Sequence, residues 1–420
     1  MTARPDAPGP LRRRGPRPLL LHLMLALLRS NVSRATSLPW KHAWQSSNAD
    51  LAAAIRAALE PEPEASFPGA VLAETLRQDA ALIEGIAAYR RHPWQRELID
   101  PPAVWQEGGS QLLDYGDTDG PAGSGAAVVF VPSLVNRAYV LDLAPGHSML
   151  RWLAEQRIRP LLLDWGWPDA AERRFTMTDY VAGRLERALG AAVTLTGGPV
   201  VLAGYCMGGT LAVAAAQRRP DLIRALALLA APWDFHAADP AQAAQAAGML
   251  PLLEPVLAFS HAVPVDLLQV LFALLDPWGV AEKYRSFARL DPTSERARLF
   301  VALEDWLNDG IPLAAPVARE CLAGWYGENL PARGEWRIAG LPVDPAAVQM
   351  PTFVAAPARD RIVPQESARP LAMLIKGAVL HQPAAGHVGM TAGHTAERVL
   401  WRPLLEWLTG LAGPGSSPTP

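Results

Sequence analysis

The stretch Ala203-Gly204-Tyr205-Cys206-Met207-Gly208-Gly209 constrains this chain more than any other. It follows the apolar run Pro199-Val200-Val201-Leu202 and precedes Thr210-Leu211-Ala212-Val213-Ala214-Ala215-Ala216, so a short buried strand is expected to turn directly into a helix. Such a turn is strained, and the residues two before and two after its apex must be small. Gly204 and Gly208 meet that demand, and Gly209 lets the helix pack closely on the sheet. The apex is Cys206, held out as a nucleophile would be. A free cysteine more often packs as a small apolar group, so the motif means catalysis only if partners exist downstream.

They do, in the order nucleophile, acid, base. Met350 to Ala356 reads as a strand, and the turn after it, Ala358-Arg359-Asp360-Arg361-Ile362-Val363-Pro364, carries Asp360. Ala378-Val379-Leu380 reads as another strand, followed by Ala385-Gly386-His387-Val388-Gly389, a loop with one histidine between glycines. Asp360 would orient His387 and stabilise its charged form, and His387 would draw the proton from Cys206. Strand, elbow and chain order together predict an α/β-hydrolase fold with a mostly parallel central sheet. The oxyanion of an acyl-transfer intermediate needs two N–H donors. One is the amide of Met207; the other follows the strand Ala126–Val131, at Val135 or at Leu134 beside it.

With these residues in hand, the chain resembles the polyhydroxyalkanoate synthases, from roughly Val128 to His387. The resemblance rests on Asn136-Arg137-Ala138-Tyr139-Val140-Leu141-Asp142-Leu143, on Leu163-Asp164-Trp165-Gly166-Trp167-Pro168-Asp169 with Thr178-Asp179-Tyr180-Val181, and on the cysteine box Gly204–Gly209. Tyr326, Glu328-Asn329-Leu330, Pro342-Val343-Asp344, Asp360–Pro364 and Gly386-His387 resemble further parts of the family pattern. It departs after His387, where Val388-Gly389-Met390-Thr391-Ala392-Gly393-His394 replaces the family's Asn-Pro-Pro segment and one amphipathic helix around Trp401, Leu404, Leu405 and Trp407 replaces its tryptophan-rich end. The resemblance implies polymerisation of (R)-3-hydroxyacyl-CoA through a cysteine acyl-enzyme. Coenzyme A would enter as the substrate thioester, with no cofactor and no metal. The implied partners are the growing polyester, a helper synthase subunit or a second copy in a homodimer, and a granule surface. Two other readings stay open: a synthase-like thioesterase, esterase or depolymerase that makes no polymer, and a non-catalytic granule-associated protein.

Composition bounds the rest. The 420 residues, half of them hydrophobic, can bury one large α/β core with an insertion. A net charge of −3 gives no reason to invoke nucleic acid. The two cysteines, Cys206 and Cys321, make no disulfide framework, and a nucleophilic thiol suits a reducing compartment, so a cytoplasmic protein is expected, at a granule or membrane surface. Cys321 lacks a glycine turn or a preceding strand and reads as a packing residue. Clusters with metal-ligand spacing and phosphate-binding glycine loops are missing from the sequence.

Residues 1–108 read as a helical N-terminal region. Behind Arg12-Arg13-Arg14, the apolar run Leu19 to Leu28 suits an interfacial helix better than a signal peptide, and it is too short to span a bilayer. Asp50 would cap a helix to Leu59, Glu60 to Glu64 forms a loop, and Leu72, Leu76, Ile83 and Ile86 share one face of a second helix. The catalytic domain is expected over 109–412, interrupted at about 236–345 by a helical cap that serves either as plain cover or as a lid. Residues 413–420 read as a disordered tail.

Overall fold

The computed structural model describes residues 13–37, 66–116 and 126–411, with isolated positions between 50 and 57. The helix expected from Asp50, the Glu60–Glu64 loop and the 413–420 tail lie outside the described residues. The chain forms two compact units: Arg96–Leu271 with Asp309–Pro420, and Met1–Gln95 with Phe272–Asn308.

The larger unit is built on one eight-stranded sheet. Its strands are β1 (Ala103–Glu107), β2 (Ser110–Asp114), β3 (Ala127–Val131), β4 (Arg159–Asp164), β5 (Val200–Tyr205), β6 (Ile223–Leu229), β7 (Thr352–Ala355) and β8 (Val379–His381). They lie in the order β1-β2-β4-β3-β5-β6-β7-β8. β1 and β2 run antiparallel to their neighbours, and every later pairing is parallel. Parallel strands need crossover connections that lay helices on the sheet faces. That is why β5, paired on both edges, has all six residues buried and reads as an unbroken Val-Val-Leu-Ala run. The fold is the α/β-hydrolase fold expected from the sequence.

β1 was not expected. It falls inside the region read as helical up to residue 108 and pairs with β2 through Glu107↔Ser110, leaving Gly108-Gly109 as a two-residue hairpin. Gly108 has φ +56°, a conformation glycine adopts freely. The Gly-Gly signal was in the sequence; the helical reading carried past it.

The smaller unit packs the helices Leu19–Ser37 and Ser66–Arg91 with Gly279–Phe287 and Glu295–Asn308. Residues 272–308, expected within the cap insertion, thus cluster with the N-terminal helices instead. The expected apolar face of the second helix is also displaced. Leu82, Ile86 and Tyr89 are buried, whereas Leu72, Leu76 and Ile83 are exposed. The reason is Gly85: a Cβ there would stand 2.0 Å from the Tyr284 carbonyl oxygen, so the two helices meet at this glycine and bury the residues flanking it. Sequence periodicity weighs apolar side chains and is blind to a contact made by the lack of one.

Candidate active site

β5 ends at Tyr205, and the helix Met207–Arg218 begins one residue later. Cys206, between them, has φ +57° and ψ −131°, a backbone state L-residues rarely adopt and one held here by the surroundings. Cys206 N–H donates to the Leu229 carbonyl at 2.8 Å, and Gly209 N–H donates to the Cys206 carbonyl at 2.8 Å. The small residues are required as the sequence implied. A Cβ on Gly208 would lie 2.1 Å from the Val131 carbonyl oxygen, and one on Gly204 would lie 2.4 Å from Gly209 Cα.

Asp360 follows β7 and His387 follows β8. The loops that carry them are zipped together: Ala358 N–H donates to the Pro383 carbonyl at 2.9 Å and Arg359 N–H to the Ala385 carbonyl at 3.1 Å. One Asp360 oxygen accepts from the amides of Ile362 and Val363 at 2.8 and 2.9 Å. The other accepts from His387 Nδ1 at 2.6 Å. Both side chains are buried, so this short contact is a charge-assisted bond away from competing water. It leaves Nε2 as the ring nitrogen for Cys206, whose side chain is within hydrogen-bond reach of His387. Burial alone would favour the neutral ring. The charges of Cys206 and Asp360, with a hydrogen bond from the ring to each, overcome it and push the imidazole pKa up to about 10. The structure therefore brings Cys206, Asp360 and His387 together.

The two predicted amides are placed differently. Met207 opens its helix, so its N–H has no acceptor within that helix. Val135 N–H makes only a long 3.4 Å contact to the Ser133 hydroxyl, while Val135 carbonyl accepts from Ile311 N–H at 3.2 Å. The following residue, Asn136, bridges Gly310. Met207 N–H thus stands at a helix start and Val135 N–H on a loop pinned at its carbonyl.

Several residues quoted only for their pattern prove to be structural pins. Asp142 is fully buried and accepts from Arg151 Nε at 2.8 Å, Arg96 Nη2 at 3.0 Å and the Tyr115 hydroxyl at 3.1 Å, which anchors the loop beyond Val135. Asn329 donates to Asp234 at 2.9 Å and accepts from Phe235 N–H at 3.0 Å, while His236 Nε2 is 2.7 Å from the Tyr326 carbonyl. This clamp ties the end of β6 to the segment Glu320–Gly327. Burial, then the charges of Cys321 and Cys206, push the Tyr326 phenol upward, and its ring packs edge-on against Phe235 with centroids 5.0 Å apart. Burial followed by the charge of Glu320 pushes the Cys321 thiol up, which keeps it protonated and supports its reading as a packing residue.

Comparison with known proteins agrees with this geometry. The family model for the alpha/beta hydrolase fold matches residues 127–391. The poly(3-hydroxyalkanoate) polymerase subunit PhaC of Haloferax mediterranei is 29% identical over 76% of this chain and 65% of its own length. That of Haloarcula marismortui is 28% identical over 67% of this chain and 60% of its own, and that of Allochromatium vinosum 26% identical over 73% and 87%. The chain thus spans less than two thirds of the length of the haloarchaeal relatives. With the sheet order, the elbow and the family match together, the chain belongs to the α/β-hydrolase fold family, and within it the chain is similar to poly(3-hydroxyalkanoate) polymerase subunits.

Proposed function

We propose that this protein polymerises (R)-3-hydroxyacyl groups from their coenzyme A thioesters, with Cys206 as nucleophile, His387 as general base and acid, and Asp360 as the group that orients His387. The observation that carries the reading is a cysteine at the apex of the elbow beside a buried imidazole already bonded to a carboxylate. The names of the relatives support the substrate class.

The chemistry follows from the positions. Cys206 passes its proton to His387 Nε2, and the thiolate attacks the thioester carbonyl. The oxyanion rests on the Met207 amide and on that of Val135. Collapse of the intermediate breaks the bond to coenzyme A, whose sulfur takes the proton back from His387 and leaves as the free thiol. Exchanging one thioester for another is nearly isoenergetic, so the acyl-cysteine persists. The 3-hydroxyl of another acyl unit then gives its proton to His387 and attacks the carbonyl; the ester forms as the acyl–sulfur bond breaks, and the Cys206 thiolate takes the proton back from His387. Asp360 keeps Nδ1 protonated throughout and stabilises the imidazolium.

The relatives are named as polymerase subunits, which supports a helper subunit, with a homodimer as the alternative assembly. Exposed Leu20, Met24, Leu27 and Leu28 on the N-terminal helix support association with a granule or membrane surface. The test is the fate of the acyl group. Expressed with a helper subunit in a synthase-deficient cell that supplies (R)-3-hydroxyacyl-CoA, the protein should deposit insoluble polyester. Free hydroxy acid as sole product would instead establish a hydrolase.

A further inference from the structure

Tyr205, the residue immediately before the nucleophile, touches His387 in two ways. Its ring lies 5.1 Å from the imidazole, centroid to centroid, with the planes tilted by 32°. Its hydroxyl donates to the His387 backbone carbonyl at 3.3 Å. The side chain is buried, and the Thr391 hydroxyl, on the short helix that follows His387, is within hydrogen-bond reach of the phenol. A residue at this position needs only to fill space at the end of a central strand, which valine or leucine would do. A phenol there must instead find a buried partner for its hydroxyl, and the partner it finds is the backbone of the catalytic base. Asp360 fixes one edge of that imidazole and Cys206 faces another. Neither restrains the ring against rotation out of its plane or the loop against lifting away from β5.

We propose that Tyr205 is a positioning residue: its ring sets the plane of the His387 imidazole, and its hydroxyl tethers the loop that carries it, so that Nε2 stays directed at Cys206. The phenol does not itself move protons. Burial, and then the charges of Cys206 and Asp360, push its pKa well above the ordinary value, so it remains a neutral donor. Because Tyr205 and Cys206 are adjacent in sequence, the strand that presents the nucleophile also aligns the base.

The proposal rests on the pairing of Cys206 with His387 and is testable without any acyl substrate. In a Cys321→Ala background, Cys206 is the chain's one remaining thiol, and its alkylation by iodoacetamide reads thiolate content as a function of pH. Relative to that parent, Tyr205→Leu should raise the pH of half-maximal alkylation by about one unit, a tenfold loss of thiolate on the acidic side. Tyr205→Phe, which keeps the ring and loses the tether, should raise it by about half as much. His387→Gln serves as the reference. If it leaves the profile unmoved, the Cys206–His387 pairing itself is wrong. If it shifts the profile while both folded Tyr205 variants match the parent, the pairing stands and the positioning role is overturned. Should Tyr205→Leu fail to fold, Tyr205→Phe alone decides: a parental profile overturns the role and a raised one supports it.

Discussion

Both units of this protein bury acidic side chains against arginine or lysine, and the larger one also balances a buried carboxylate with an imidazole. In the smaller unit, Asp305 accepts from Arg13 Nε at 2.7 Å and from the Tyr89 hydroxyl at 2.8 Å. Glu304 pairs with Lys283 Nζ at 2.6 Å and accepts from the Tyr284 hydroxyl at 2.8 Å. These pairs tie neighbouring segments of the unit together and act as pins. In the larger unit, Asp360 is likewise satisfied by two amides and a short third bond, but that bond comes from an imidazole. An imidazole can return its proton. The same device, a buried carboxylate with both oxygens engaged, is therefore a fastener beside arginine or lysine, whereas beside histidine it orients a ring whose other nitrogen can exchange a proton.

The comparison is broken most sharply by removing one charge from each. Asp360→Asn should leave the fold intact and lower acyl transfer by about 10²–10⁴-fold, because the amide cannot stabilise the imidazolium. Asp305→Asn should do the reverse, lowering stability by about 1–3 kcal/mol while leaving turnover per folded molecule unchanged. Thermal melts and initial rates on both variants check the pair. A melting loss for Asp360→Asn equal to that of Asp305→Asn would show that the two carboxylates play one role.

A smaller effect is expected at the helix crossing of the smaller unit. Gly85→Ala forces the new methyl against the Tyr284 carbonyl and should destabilise by about 1–3 kcal/mol, the usual range for overpacking. Denaturant midpoints measure it. The alanine would otherwise favour the helix by about 1 kcal/mol, so a stabilised variant would mean that the two helices do not meet there.

The smallest effect concerns pH. Burial raises the Glu320 carboxyl above its ordinary value of 4.5, against the opposing bond from the Met177 amide, and Asp179 adds to the rise. A folded-state pKa above the unfolded one means that the ionised group opposes folding at neutral pH and that this opposition fades as pH falls through the raised value toward 4.5. Glu320→Gln should therefore raise the melting temperature at pH 8, with the gain shrinking toward pH 4.5. A gain constant with pH would assign it to packing instead.

What was legible in the sequence follows from the same physics. The elbow could be read because backbone strain at Cys206 admits only small residues at fixed offsets, and those offsets survive as Gly204 and Gly208. Asp360 and His387 could be read because each follows a short apolar strand. The Gly108-Gly109 hairpin is legible as a glycine pair between two short strands, while the face of the helix Ser66–Arg91 is not legible by periodicity, since Gly85 makes its contact through a missing side chain. For Tyr205 and Tyr326 the place in a motif is legible, but the partner is not, for a related reason. What they touch lies across the fold, His387 for one and Phe235 for the other, and neither spacing nor composition encodes such contacts.

The central claim, that Cys206 carries the acyl group, is tested most directly by intact mass after brief exposure of the protein to a 3-hydroxyacyl-CoA. The account predicts an added mass of hydroxyacyl units that peptide mapping assigns to Cys206, present in Cys321→Ala and absent in Cys206→Ala. An adduct that persists in Cys206→Ala, or that maps to Cys321, would contradict it.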